Sequence, residues 1–156
     1  LRPAPGTWGS LAALPAAYIL HLLGGPILLI AAAAALYFVG VHLTALETAE
    51  SSDHDPSWIV IDEVVGQWIA LFPVSIGAIS AGVDVLRLWP GIVSAFVLFR
   101  LFDIWKPWIV GKADRRGDAT GVMLDDVWAG ALAALFVVAL AAVAHAGLPF
   151  AMSGRQ

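Results

Sequence analysis

The sequence predicts an all-α fold, a compact membrane-embedded bundle of about five helices, and three observations predict it. Of the 156 residues, 60% are hydrophobic and only 13% are charged. Mean hydropathy is +0.87, well outside the composition of soluble domains. The apolar residues also gather into five runs, at 11–23, 26–46, 64–80, 90–105 and 127–146, most of them near the ~20 residues with which a helix crosses a bilayer. Helices of that length leave room for one domain over 1–156 and none for a second.

The first two runs are separated only by Gly24-Gly25-Pro26, a break too short for anything but a turn, so they are expected to form an antiparallel pair. The first is short and contains Pro15, which suits a re-entrant or interfacial segment as well as a spanning one. Nothing at this end reads as a cleavable signal peptide. If all five runs cross, the segments 1–10, 47–61 and 103–124 share one membrane face, and 81–89 and the carboxyl terminus share the other. The first face then carries Arg2, Arg100, Lys106, Lys112, Arg115 and Arg116, and the second only Arg87 and Arg155. That asymmetry places the first face in the cytoplasm.

Composition excludes several chemistries. Cysteine is absent, which removes disulfides, thiolate metal sites, a cysteine nucleophile and iron–sulfur clusters. The net charge is −4 and no basic stripe is present, so nucleic acid is not an expected partner. No internal repeat suggests a solenoid or an inverted-repeat transporter, and the pattern specifies no oligomeric state.

Chemistry concentrates on the predicted cytoplasmic face. Asp62 and Glu63 open the third run, with Gly66 one turn below the first acid and Gln67 one turn below the second. Asp125 and Asp126 are expected to open the last run, and Gly130 lies one turn below Asp126, repeating the spacing from acid to glycine. Acids at helix starts also complement the helix dipole. Two dyads with matched small residues on one face, however, let two helices approach and bring their carboxylates together. In the fourth run Arg100, Asp103 and Lys106 recur every third residue and form one charged ridge before Pro107. Snorkelling explains the two cations but not the acid between them. On that ridge Lys106 can hold a phosphate and Asp103 a cation.

Asp62, Glu63, Asp103, Asp125 and Asp126 cannot share a partly desolvated space fully ionised, because like charges raise each other's pKa. A divalent cation resolves the conflict. An all-oxygen donor set selects a hard metal, Mg²⁺ first. The segment Pro5-Gly6-Thr7-Trp8-Gly9-Ser10 places backbone N–H groups and hydroxyls before a predicted helix, so Thr7, Gly9 and Ser10 are candidate phosphate contacts beside Arg100 and Lys106. His54 and Asp55 add a possible ligand or proton-transfer pair in the 51–57 loop.

Taken in order, Pro5-Gly-Thr-Trp-Gly-Ser-Leu-Ala-Ala-Leu-Pro15, Asp53-His54-Asp55 before Asp62-Glu63, Phe99-Arg-Leu-Phe-Asp-Ile-Trp-Lys-Pro107 and Gly121-Val-Met-Leu-Asp-Asp-Val-Trp-Ala-Gly130 closely resemble the phosphatidylglycerophosphatase A family. The resemblance covers nearly the whole chain. It implies a multi-pass enzyme of the bacterial inner membrane that removes the terminal phosphate of phosphatidylglycerophosphate, a phospholipid substrate, with Mg²⁺ required. On that reading Asp62, Glu63, Asp103, Lys106 and Asp126 are the candidate catalytic residues, and one acid takes the proton of an attacking water unless an aspartate attacks phosphorus directly. Trp68, Trp105, Trp108 and Trp128 are expected at the interface beside the acyl chains. The rival reading is a cation transporter or channel using the clustered membrane acids.

Overall fold

The computed structural model describes residues 5–50, 60–116 and 118–153, and all of its regular structure is helical. Helix α1 (Pro5–Glu50) is followed by α2 (Ile61–Ala81), a single 3₁₀ turn at Val85–Leu88, α3 (Trp89–Trp105), a short α4 (Trp108–Asp114) and α5 (Ala119–Ser153).

Helix α1 is two helices joined at a hinge. Gly25 adopts φ 61°, ψ −153°, a conformation essentially closed to residues with a Cβ, and Pro26 then opens the second arm with its φ already helical. The arms fold back on each other. Gly9 in the first and Gly40 in the second lie against Val60 and Ile61 at the start of α2, whereas Gly25 at the hinge lies against Ile79 near its end. The expected antiparallel pair is therefore present, and Pro15 sits within its first arm without ending it.

Four helical stretches are long and apolar enough to cross a membrane: Gly6–Leu46, which is folded at the hinge, Ile61–Ala81, Val85–Trp105 and Thr120–Ala146. Large apolar side chains such as Leu23, Ile27, Phe38, Ile104 and Val143 are more than two-thirds exposed, a surface suited to lipid. This is a membrane protein. Inside the bundle the contacts are small: Ala13, Ala17, Ala33, Ala70, Ala78, Ala95, Ala129 and Ala133 are all buried. Between apolar helices in lipid, close backbone approach and dispersion replace the hydrophobic driving force, and small residues permit that approach.

Helix α2 is central and packs against α1, α3 and α5, with half of its apolar stretch buried. Its tightest contact is with α5. A Cβ on Gly130 would collide with the Gly66 carbonyl oxygen and stand 3.1 Å from the Gly66 Cα. A Cβ on Gly66 would in turn meet the Phe99 ring and lie 2.6 Å from the Asp126 carbonyl oxygen. The matched glycines below the two acid dyads thus form a backbone-to-backbone crossing, as their spacing predicts.

Three expectations need adjustment. Pro5-Gly6-Thr7-Trp8-Gly9-Ser10 is the first part of α1 and not a loop before it. Asp125-Asp126 does not open α5, which begins at Ala119 and is capped by Asp118, whose carboxylate accepts the Gly121 N–H at 2.7 Å. Trp68 is no surface belt residue either, since it is buried and its Nε1–H donates to the Ala13 carbonyl at 3.0 Å. The belt positions Trp105 and Trp108 are open.

A Gly130→Ala substitution is expected to destabilise the fold by about 1–3 kcal/mol through overpacking, read as a lower melting temperature in detergent. Gly77→Ala, whose new methyl would meet only Leu88 at 3.7 Å, should be neutral or stabilising through better helix propensity. Equal melting temperatures for the two variants would contradict the crossing.

Candidate active site

The glycine crossing sets two acid dyads side by side. Asp62, Glu63 and Asp126 each offer a carboxylate oxygen, and these oxygens all lie within 4.8 Å of one another. The dyads share a local device. In each, the first acid accepts the backbone N–H of the second, Glu63 N to Asp62 Oδ1 and Asp126 N to Asp125 Oδ1, both at 2.9 Å. That bond occupies one oxygen of each first acid, and Asp62 still contributes a carboxylate oxygen to the trio.

Dipole compensation does not account for Asp125 and Asp126, because Asp118 already caps α5 and the dyad lies well inside the helix. Asp126 is buried, its Oδ1 has no hydrogen-bond partner, and Asp103, Asp62 and Asp125 all face it, Asp103 within side-chain hydrogen-bonding reach. Glu63 Oε2 is likewise buried and unpartnered. Buried carboxylate oxygens without donors are costly unless a cation or proton meets them. The trio is therefore the part of the structure able to hold a hard divalent ion.

The five predicted acids divide into roles. Asp103 borders the trio and is tied to Arg100 at 2.5 Å, one turn away on α3. Asp125 is turned elsewhere, since its Oδ1 takes the Asp126 N–H and its Oδ2 takes Lys106 at 3.0 Å, so both oxygens are committed. Lys106 is also paired with Asp114. Burial lowers the pKa of Lys106, but hydrogen bonds and charge from Asp114 and Asp125 outweigh it and hold the ammonium above its ordinary value. Two of its three donors are thus engaged by protein, which narrows its expected part as a phosphate contact.

Arg100 is better placed for an anion. Its Nη1 reaches Asp103 and, at 3.5 Å, the Ser10 hydroxyl, while its Nε is buried with no partner. Ser10 itself is buried and donates to the Gly6 carbonyl at 2.8 Å. The glycine that matters here is Gly6. A Cβ on it would collide with Glu63 Oε1 and stand 3.1 Å from Arg100 Nη1. Gly9, expected at a phosphate, instead faces Val60, whose Cβ would stand 2.9 Å from a Cβ added at Gly9, and Thr7 is half-buried in the first turn of α1. His54 and Asp55 lie outside the described residues.

Asp114 and Gly6 are the participants that sequence reasoning missed. Asp114 reaches Lys106 because α4 turns the chain back at once. Gly111 permits that turn, its missing Cβ leaving room 2.8 Å from the Lys106 carbonyl oxygen.

Comparison with known proteins decides the family. The profile of the phosphatidylglycerophosphatase A family matches residues 1–141. The chain belongs to the phosphatidylglycerophosphatase A family. It is 39% identical over 142 residues to phosphatidylglycerophosphatase A of Haemophilus influenzae, covering 90% of this chain and 80% of that one. It is 33% identical over 131 residues to phosphatidylglycerophosphatase A of Escherichia coli, covering 83% and 70%. A putative phosphatidylinositol-3-phosphatase of Bacteroides thetaiotaomicron is 38% identical over 130 residues, covering 81% and 77%. No solved structure matches. Every residue of the trio and of the Arg100 and Lys106 pairs falls within the segment shared with the phosphatidylglycerophosphatase A family.

Lys106→Met is expected to destabilise the protein by about 1–3 kcal/mol, because Asp125 loses the partner that burial demands. The pKa of Lys106 is raised in the folded state, so its contribution is fully present below its unfolded value of about 10.4 and is lost as pH rises through the higher folded value. The stability difference between wild type and Lys106→Met should accordingly stay flat from about pH 7 to 10. A difference that closes below pH 9, followed by thermal unfolding in detergent, would contradict the pairing.

Proposed function

We propose that this chain hydrolyses the terminal phosphate monoester of phosphatidylglycerophosphate, releasing phosphatidylglycerol and inorganic phosphate, at the cytoplasmic surface of the bacterial inner membrane. The observation that carries the proposal is the convergence of Asp62, Glu63 and Asp126 beside Arg100 at one edge of a membrane bundle, in a chain whose relatives in Haemophilus influenzae and Escherichia coli are named for that activity.

Asp62, Glu63 and Asp126 would hold Mg²⁺, whose charge offsets that of the phosphoryl oxygens. Three converging carboxylates, with Asp126 Oδ1 buried and unpartnered, fit a hard cation. Arg100, anchored by Asp103 and Ser10, directs its guanidinium at the phosphate, where charge spreads over the equatorial oxygens during transfer. Glu63, with Oε2 unpartnered, is the acid best placed to take the proton of an attacking water. Asp125, Asp114 and Lys106 form a neighbouring clamp that fixes α5 against the end of α3.

A lipid substrate is supported by what lies below. A cavity of about 300 Å³ opens between the first arm of α1, α2 and α3, lined by Leu14, Tyr18, Leu71, Val74 and Ile92 among others. It begins one turn beyond Ser10 and about two turns beyond Glu63, on the same helices that carry the site, and its lining suits an acyl chain. Cytoplasmic orientation is supported by Arg100, Lys106, Lys112, Arg115 and Arg116 at the acid edge, against Arg87 at the other end among the described residues. A cation path is disfavoured, because the acids cluster at that edge and not along the spans.

Purified protein in detergent should release phosphate from phosphatidylglycerophosphate, lose activity in EDTA and regain it with Mg²⁺. Glu63→Gln should lower kcat by roughly 10²–10⁴-fold. Phosphate release unaffected by EDTA would remove the metal, and faster release from phosphatidylinositol 3-phosphate would reassign the headgroup. Leu71→Trp, which fills the cavity, should raise KM for long-chain substrate and leave a short-chain analogue unaffected; equal effects on both would remove the acyl seat.

A further inference from the structure

One turn below Glu63, Gln67 is wholly buried, and neither its Oε1 nor its Nε2 has a hydrogen-bond partner. A buried amide with both ends unpaired is among the costlier features a core can carry. No packing need explains it, since methionine or leucine would fill the same space without an orphaned dipole. Side chains on a helix lean toward its amino terminus, so the Gln67 amide reaches back to the turn that bears Glu63. At that turn two further groups are buried and unpartnered, Glu63 Oε2 and Arg100 Nε. They belong to one locality, because a single absent Cβ, that of Gly6, would touch both the Glu63 carboxylate and the Arg100 guanidinium.

The donor and acceptor balance of this set identifies its guest. Gln67 Oε1 and Glu63 Oε2 accept, whereas Gln67 Nε2 and Arg100 Nε donate. A phosphate monoester dianion can only accept, and a metal ion cannot meet an N–H. A water can give its two hydrogens to Gln67 Oε1 and Glu63 Oε2 and accept from one of the two N–H groups, which leaves one lone pair unengaged. Resting on the hydrolase reading above, we infer that Gln67 holds the water that attacks phosphorus, with one water hydrogen on Gln67 Oε1 and the other on Glu63 Oε2. The arrangement points one lone pair of the water away from the protein floor and toward the phosphoryl group, a task that a glutamine amide performs in other phosphoryl hydrolases. In the step itself the water oxygen bonds to phosphorus as the phosphorus–oxygen bond to glycerol breaks. The bonding pair leaves with the glycerol oxygen, which takes up a proton from the medium. Glu63 accepts the proton of the water and returns it to solvent afterwards, so the products are an alcohol and inorganic phosphate.

The test compares Gln67→Met and Gln67→Asn with wild type for phosphate release from phosphatidylglycerophosphate in detergent, together with melting temperature. Methionine keeps the volume and removes the orphaned amide, so the Met variant is expected to melt at or above the wild-type temperature. It should nonetheless lose roughly 10²-fold in kcat, the scale of a misplaced reactant, with KM within about twofold of wild type. The Asn variant keeps the amide but withdraws it by one methylene, and the same split of kcat from KM is expected. A purely structural glutamine would move stability and activity together, so a kcat that falls only alongside the melting temperature overturns the assignment. It is equally overturned if either variant retains kcat within twofold, or if neither folds, which would make Gln67 a packing residue. An inactive wild type would sink the hydrolase reading and this one with it, whereas an active wild type with an unimpaired Met variant sinks only the role of Gln67.

Discussion

The backbone crossing of Gly66 and Gly130 is the constraint on which the rest of this molecule depends. Two helices that touch through a carbonyl oxygen and a Cα, with no side chain between them, are as close as helices come. Acids placed one turn above that point on both helices have no room to avoid each other. Asp62, Glu63 and Asp126 are therefore gathered by packing, at a point 63 residues apart in sequence from one dyad to the other. The site follows from the helix geometry.

That gathering is expensive, and the surroundings show how the expense is met. Two ionised carboxylates with oxygens no more than 4.8 Å apart repel by at least about 3 kcal/mol at an effective dielectric constant near 20. Three such groups in partial burial cannot persist without protons or a cation. Protein cations offset only the periphery: Arg100 answers Asp103, and Lys106 answers Asp125 and Asp114. The centre is left with unpartnered oxygens on Glu63 and Asp126. With the rim of the acid cluster neutralised and its middle unpaired, the middle is where a proton or cation would relieve the repulsion. The same edge carries most of the basic residues of the described chain, a placement that would suit anionic headgroups under the proposed function.

Much of this was legible in the sequence because it depends on short-range periodicity. The apolar runs located the helices, and the glycine one turn below each dyad forecast the crossing of α2 and α5. The Gly24-Gly25-Pro26 break forecast the hinge of α1. Roles that depend on rotamers and on return of the chain were not legible. Asp125 and Asp126 are adjacent and chemically identical, yet the Asp126 N–H and Lys106 together take both oxygens of the first, while the second keeps an unpartnered oxygen. Lys106 read as an anion contact because its partner Asp114 sits on a seven-residue helix that no apolar period announces. The glycines of the first turn read as a phosphate loop, whereas Gly9 packs on Val60 and Gly6 makes room for Glu63. Sequence showed glycine at these positions but not which neighbour takes up the space.

The central claim is that packing alone creates one cation site from acids on two helices. Anomalous scattering from crystals grown with Mn²⁺ in place of Mg²⁺ tests it most directly. The account predicts a metal peak coordinated by Asp62, Glu63 and Asp126, with Asp125 still turned to Lys106. Carboxylates that point away from one another, or a peak held by residues outside this junction, would contradict it.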